Sequence, residues 1–255
     1  KAIIYFNKAL KIDPNIAELN NNLGSCLQIQ GDLPESIKLF KKAIKLKSKF
    51  SLAHYNLGIS FYKSKQIDEA IKSFRIAINI VPKYIDALNN LGNCLQESDE
   101  FEEAILIYKT CIKFDPNNAQ AYNNLGVCYQ EKEKIIDAYA CYQKAIKLKV
   151  NYEHAYNNLG FLYKYQNKID NAIKAFRNAC KFNYNFAEAK TNLSYSLLLK
   201  GDYKEGWKEY EQRFLQEKSP SPHGNPNLKK WTEHKPNKGD KLLIVSEQGF
   251  GDTVQ

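Results

Sequence analysis

Asn89-Asn90-Leu91-Gly92-Asn93-Cys94 is followed, thirty-four residues on, by Asn123-Asn124-Leu125-Gly126-Val127-Cys128, and this echo decides the fold. The Leu-Gly pair recurs at Leu23-Gly24, Leu57-Gly58 and Leu159-Gly160, and Leu193-Ser194 continues the series with a serine. Seventeen residues after each of these leucines stands an aromatic: Phe40, Phe74, Tyr108, Tyr142, Phe176 and Tyr210. Small residues recur at Ala70, Ala104, Ala138 and Ala172, and again at Ala43, Ala77, Cys111, Ala145 and Ala179. Apolar residues at three and four spacing mark two amphipathic helices per period. A glycine at the crossing lets two helix axes approach, and the aromatic fills the space beside it. Pro82 and Pro116 close two units, because proline cannot donate the helical hydrogen bond. One such helix pair cannot bury its apolar face alone, so neighbours must stack.

This pattern resembles the tetratricopeptide repeat (TPR) family over residues 1–218. The resemblance implies an all-α fold, a right-handed α-solenoid of stacked helix pairs. Residues 1–16 read as the second helix of a truncated repeat. Six units follow at 17–50, 51–84, 85–118, 119–152, 153–186 and 187–218, the last a capping unit with Gly206 and Arg213 at its small positions.

Within the repeat one column has no packing reason. The residue before each Leu-Gly pair, or its Leu-Ser counterpart, is Asn22, Asn56, Asn90, Asn124, Asn158 or Asn192. Mid-helix asparagine costs about 0.5–0.7 kcal/mol relative to alanine. A carboxamide offers one acceptor and two donors, and so suits the backbone of an extended peptide whatever its side chains. The first helices are expected to line the concave face, which makes the column a candidate peptide-binding ladder. Asn89, Asn123 and Asn157 stand beside it and widen the polar stripe. One turn on, Ser25, Ile59, Asn93, Val127, Phe161 and Tyr195 shift from polar to aromatic. The column resembles the inner-groove asparagines of O-GlcNAc-transferase-type repeat proteins, which implies that it holds substrate backbone. The competing reading is that each asparagine bonds to a neighbouring helix or to the next asparagine.

Composition excludes several classes. With 44% hydrophobic residues, 12 Gly and 8 Pro, the chain is neither disordered nor collagen-like. No run of eighteen apolar residues provides a membrane span. The formal charge of +9 favours solubility and attraction to acidic partners. Lysine runs such as Lys41-Lys42-Ala43-Ile44-Lys45 fall on second helices and read as a solvated rim. No aromatic-basic interleaving supports nucleic-acid stacking. The six cysteines, Cys26, Cys94, Cys111, Cys128, Cys141 and Cys180, read as reduced core thiols, which points to a cytoplasmic location. No metal-ligand spacing occurs, and no cofactor is expected of these residues.

After residue 218 the composition changes. Residues 219–239 read as a linker, rich in Pro and Gly. Lys241-Leu242-Leu243-Ile244-Val245 reads as a buried strand leading into Glu247-Gln248-Gly249-Phe250-Gly251-Asp252. Residues 240–255 thus resemble the first strand and glycine loop of a GT-B, heptosyltransferase-like glycosyltransferase. The resemblance implies that Gly249 and Gly251 approach a sugar or nucleotide, and that Asp252 serves as a catalytic base. Asp252 as a helix cap is the equal alternative. The chain, which has no Met and stops inside this loop, reads as a fragment of a longer protein.

The functional expectation is a repeat array that holds an extended polypeptide in its groove, fused to a glycosyltransferase that takes a nucleotide-sugar only in the full-length protein. The alternatives are a non-catalytic interaction scaffold and a cell-envelope glycan or lipid glycosyltransferase with partner-docking repeats.

Overall fold

A computed structural model describes residues 2–211. These residues form thirteen helices and no strand. Two compact units are present. The first, which ends at Tyr184, begins with α1 (Ala2–Ile12) and continues as five helix pairs. Their first helices are α2 (Ala17–Gln30), α4 (Ser51–Lys63), α6 (Ile85–Glu97), α8 (Ala119–Glu131) and α10 (Glu153–Tyr165). Their second helices are α3 (Leu33–Leu46), α5 (Ile67–Ile80), α7 (Phe101–Phe114), α9 (Ile135–Leu148) and α11 (Ile169–Phe182). The second unit contains the pair α12 (Ala187–Lys200) and α13 (Tyr203–Glu211).

Glycine against an aromatic ring closes each pair in the first unit. A Cβ placed on Gly24, Gly58, Gly92, Gly126 or Gly160 would lie 2.5–2.8 Å from a ring carbon of Phe40, Phe74, Tyr108, Tyr142 or Phe176 respectively. All five rings are buried, at 1% exposure or less, so none can swing away. The recurring alanines Ala43, Ala77, Ala104, Ala138 and Ala179 are fully buried and let the second helices press equally close. One apolar cluster runs continuously from Phe40 to Cys141, which shows the units sharing a core rather than each having its own.

Each pair turns through a left-handed residue. Gly31 has φ of 88°, and the same position thirty-four residues apart is Lys65, Asp99, Glu133 and Asn167, with φ between 56° and 61°. Gly201 repeats it in the second unit. The turn needs this conformation because it lets the last carbonyls of the first helix find donors. Glu133 N–H donates to the Gln130 carbonyl at 2.9 Å and Lys134 N–H to the Tyr129 carbonyl at 2.8 Å.

Packing between pairs is unequal. The successive first helices α2, α4, α6, α8 and α10 touch one another, whereas no two second helices approach at the backbone. Second helices meet through long side chains, as where Arg75 donates to both oxygens of Glu103 at 2.7 and 2.8 Å. Layers that touch on one side and splay on the other must curve toward the touching side. The first helices therefore form the inner face of the first unit.

The expected α/β remnant is corrected. The described residues are helical and provide no strand with which a strand at 242–245 could pair. Residues 219–255, including the linker, Gly249, Gly251 and Asp252, lie outside the described residues.

Two substitutions test this packing by thermal melting monitored by circular dichroism. Gly92→Ala drives a methyl into the Tyr108 ring and is expected to destabilise by about 1–3 kcal/mol. Glu133→Gly relieves a left-handed residue with a side chain and is expected to stabilise by roughly 0.5–1 kcal/mol.

Candidate functional site

Each first helix of the first unit packs on its partner through Ala, Leu and Gly and leaves a stripe toward solvent. Numbered from the helix start, positions 2, 6, 9 and 13 form this stripe, at the spacing of one helical face. In α6 the stripe is Asp86, Asn90, Asn93 and Glu97, and in α10 it is His154, Asn158, Phe161 and Tyr165. The asparagine column occupies its centre.

Exposure along the column is graded. Asn22 is exposed; Asn90, Asn124 and Asn158 are half-buried; Asn56 is buried. Their amides reach back to the preceding pair. Asn56 Nδ2 donates to Asn21 Oδ1 at 3.0 Å and to Ser25 Oγ at 3.2 Å. Asn90 Nδ2 donates to the Tyr55 hydroxyl at 3.2 Å. Asn124 Nδ2 donates to Asn93 Oδ1 at 2.8 Å, and Asn158 Nδ2 to Asn123 Oδ1 at 3.0 Å. The column is thus a set of hydrogen bonds between adjacent pairs, each spending an amide proton in a partly dry layer. Asn90 and Asn158 each retain a second N–H and a carbonyl oxygen with no partner among the described residues.

The neighbouring asparagines sit deeper. Asn21, Asn89, Asn123 and Asn157 are buried at 5% exposure or less, within the helix layer. Asn21 and Asn123 donate to the Oδ1 of Asn22 and Asn124 at 3.3 and 3.1 Å. Asn89 Oδ1 accepts from the Cys111 thiol at 3.5 Å. Asn192 is half-buried in α12, in the second unit.

Tyrosines complete the polar layer. The Tyr108 hydroxyl donates to Asn93 Oδ1 at 2.8 Å and lies 2.5 Å from Gln96 Oε1. The Tyr142 hydroxyl donates to Gln130 Oε1 at 3.1 Å. In the first pair, where the ring is Phe40, the equivalent Gln28 instead donates to the Asn56 carbonyl at 2.9 Å and to Ser60 Oγ at 2.7 Å. Tyr62 donates to Glu97, and that bond, with burial, raises its pKa to about 12, so it remains a neutral donor. Burial raises the Tyr55 phenol as well. The spacing of stripe positions 2 and 13 from the asparagine column, four residues before and seven after, carries the signal that adds Asp86, Glu97, Glu131 and Tyr165 to the face.

Cys26, Cys94, Cys111, Cys128 and Cys141 are free thiols, the last four of them buried. Burial raises Cys94 and Cys128 to about 12 and Cys111 and Cys141 to about 11. They are therefore protonated, unreactive packing groups at neutral pH. Among the described residues no cluster of His, Cys, Asp and Glu could hold a metal ion, and no helix is long and apolar enough to cross a membrane. A shallow depression of about 340 Å³ lies among Ile135, Tyr139, Tyr163 and Lys168, none of them in the asparagine column.

Comparison with known proteins agrees with the helix pairs. Family profiles described as TPR repeat match 27–65, 60–99 and 95–133, and others described as tetratricopeptide repeat match 5–38, 119–152 and 153–186. Among curated proteins none matches significantly. YrrB, a TPR protein with an unusual peptide-binding site, superposes with a TM-score of 0.60 at 20% identity, over 72% of this chain and 95% of its own. PilW, a type IV pilus biogenesis factor, gives 0.71 at 18% identity, over 78% and 93%. PilF of Pseudomonas aeruginosa gives 0.68 at 17% identity, over 80% and 93%. These likenesses concern the fold. They also correct the expected type: every matching profile is a repeat profile and the described residues have no sheet, so a tetratricopeptide repeat array stands in place of the expected O-GlcNAc-transferase-like, GT-B type.

Two measurements check the site. Asn56→Ala removes two bonds and orphans Asn21 Oδ1, which is expected to destabilise by about 1–3 kcal/mol in thermal melts. Asn22→Ala, at the exposed end of the column, removes only the longer 3.3 Å bond from Asn21 Nδ2 and is expected to cost less, about 1 kcal/mol or below. Raised thiol pKa values mean less thiolate at pH 8. Iodoacetamide followed by peptide mass mapping should label Cys26 and Cys180 well before Cys94, Cys111, Cys128 and Cys141.

Proposed function

Since the chain belongs to the tetratricopeptide repeat family, we propose that it is a polypeptide-binding scaffold whose inner face holds an extended segment of a partner protein. One observation carries the reading. Asn90, Asn124 and Asn158 stand half-exposed at a regular interval on the inner face, already oriented by bonds to the preceding pair. Fixed amides lose little freedom when a ligand binds, which favours affinity. The remaining N–H and carbonyl of Asn90 and Asn158 match the two polar groups of a peptide unit. Adjacent pairs lie roughly 8–10 Å apart, about three residues of extended chain at ~3.3 Å each. A ligand passing from Asn90 to Asn158 thus meets a carboxamide every third residue. The exposed Asn22, and Asn56 with both N–H groups in use, contribute less. The scaffold fits a reducing compartment such as the cytoplasm, since Cys94, Cys111, Cys128 and Cys141 serve as buried core thiols.

The test is selection of extended decapeptides against the chain, followed by anisotropy titration of the best binder. Asn90→Ala with Asn158→Ala is expected to weaken it about tenfold while helical content at the assay temperature holds, the melting temperature falling because Asn123 Oδ1 loses its donor. Unchanged affinity in that double variant would remove the carboxamide grip.

A further inference from the structure

The chain is basic as a whole, but its charges are sorted by layer. The second helices α3, α5, α7, α9 and α11 carry 13 Lys and Arg against 7 Asp and Glu. The inner stripe is the reverse. Its charged members are Glu18, Asp86, Glu97 and Glu131 against Lys63 alone, and all five are exposed. Glu18 is drawn to Lys47 at 2.7 Å. Glu97 is held by the Tyr62 hydroxyl, which orients it without cancelling its charge. Glu131 and Asp86 project from the same face of α8 and α6. On the next pair the stripe changes chemistry. Phe161 is 43% exposed and Tyr165 is 67% exposed, large aromatic surfaces open to solvent. Lys164 stands over the Phe161 ring at 5.5 Å, so that ring already accepts a cation.

We propose that the inner face selects an extended peptide bearing basic side chains, with an aromatic or large apolar side chain several residues away. This rests on the groove reading above and specifies its ligand. The basic groups would meet Asp86, Glu97 and Glu131, and the apolar group would cover Phe161 and Tyr165. One to two pairs separate the two zones, so the two ligand features stand about three to six residues apart. The positive outer layer repels such a ligand and the concave side attracts it, which directs encounter to one surface. The exposed aromatics explain why the ligand is more than a polycation: a lysine-rich chain alone leaves them wet.

The experiment uses the full chain and three dye-labelled decapeptides, read by fluorescence anisotropy. The first has two adjacent lysines and a tyrosine four residues away. The second replaces both lysines by glutamate, and the third replaces the tyrosine by alanine. The first peptide is expected to bind about tenfold more tightly than the second, with the preference shrinking from 50 to 500 mM salt. The variant Asp86→Asn, Glu97→Gln, Glu131→Gln should lose that preference. Phe161→Ala with Tyr165→Ala should erase the difference between the first and third peptides. Equal binding of the lysine and glutamate peptides overturns the charge selection and leaves the groove reading standing. Charge preference that persists in Asn90→Ala, Asn158→Ala with undiminished affinity leaves the selection and removes the carboxamide grip. Absence of binding by all three overturns both.

Discussion

Close approach of two helices at a residue without a side chain is the constraint on which the rest depends. In every pair of the first unit an aromatic ring occupies the volume that a Cβ would need. The ring is buried on all sides, so glycine and aromatic are fixed as a couple: enlarging one or shrinking the other leaves a clash or a void. That couple sets the distance within a pair. It also sets which residues of the first helix remain uncovered, because a helix that turns its glycine toward its partner must turn the residues two before and one after it away. Asn90 and Asn93 are uncovered for that reason.

Curvature follows from the same economy of side chains. First helices touch their neighbours, with Asn56 bonded to Asn21 and Ser25, while second helices meet through long side chains such as Arg75 and Glu103. The inner layer is thereby drawn together and dried, and its polar groups must find partners. The bonds from Asn56 to Asn21 and from Asn158 to Asn123 answer that need. A column proposed to bind ligand is thus also a column that joins repeats. The two roles are compatible because a carboxamide has more hydrogen-bonding sites than one neighbour uses.

Much of this was legible in the sequence. Leu-Gly every thirty-four residues, with an aromatic seventeen later, names both members of each crossing. The turns were harder. Their left-handed residue is glycine only at Gly31 and Gly201, while Lys65, Asp99, Glu133 and Asn167 hide the position between. Periodicity places Asn90 on a face but does not say that its amide points back to Tyr55, since that depends on the distance between pairs. Burial divides the two asparagine columns for the same reason: Asn89, Asn123 and Asn157 are one residue from the groove and lie inside the layer. The C-terminal reading rested on a short apolar run and Gly249 and Gly251. Such a loop fits many folds, whereas the repeat is supported in every period.

Net charge misleads in a layered fold of this kind. Summed over the sequence, +9 suggests an acidic partner. Yet a groove is felt by a ligand through the groups nearest it, and exposed charges beyond about 8 Å are largely screened at physiological salt. A helix about 10 Å across separates the outer lysines from the inner carboxylates. The ligand therefore meets Asp86, Glu97 and Glu131 with little interference from Lys109 or Lys144. The period that reveals the fold also assigns each charge to a layer, so the character of the inner face follows once the helix positions are known.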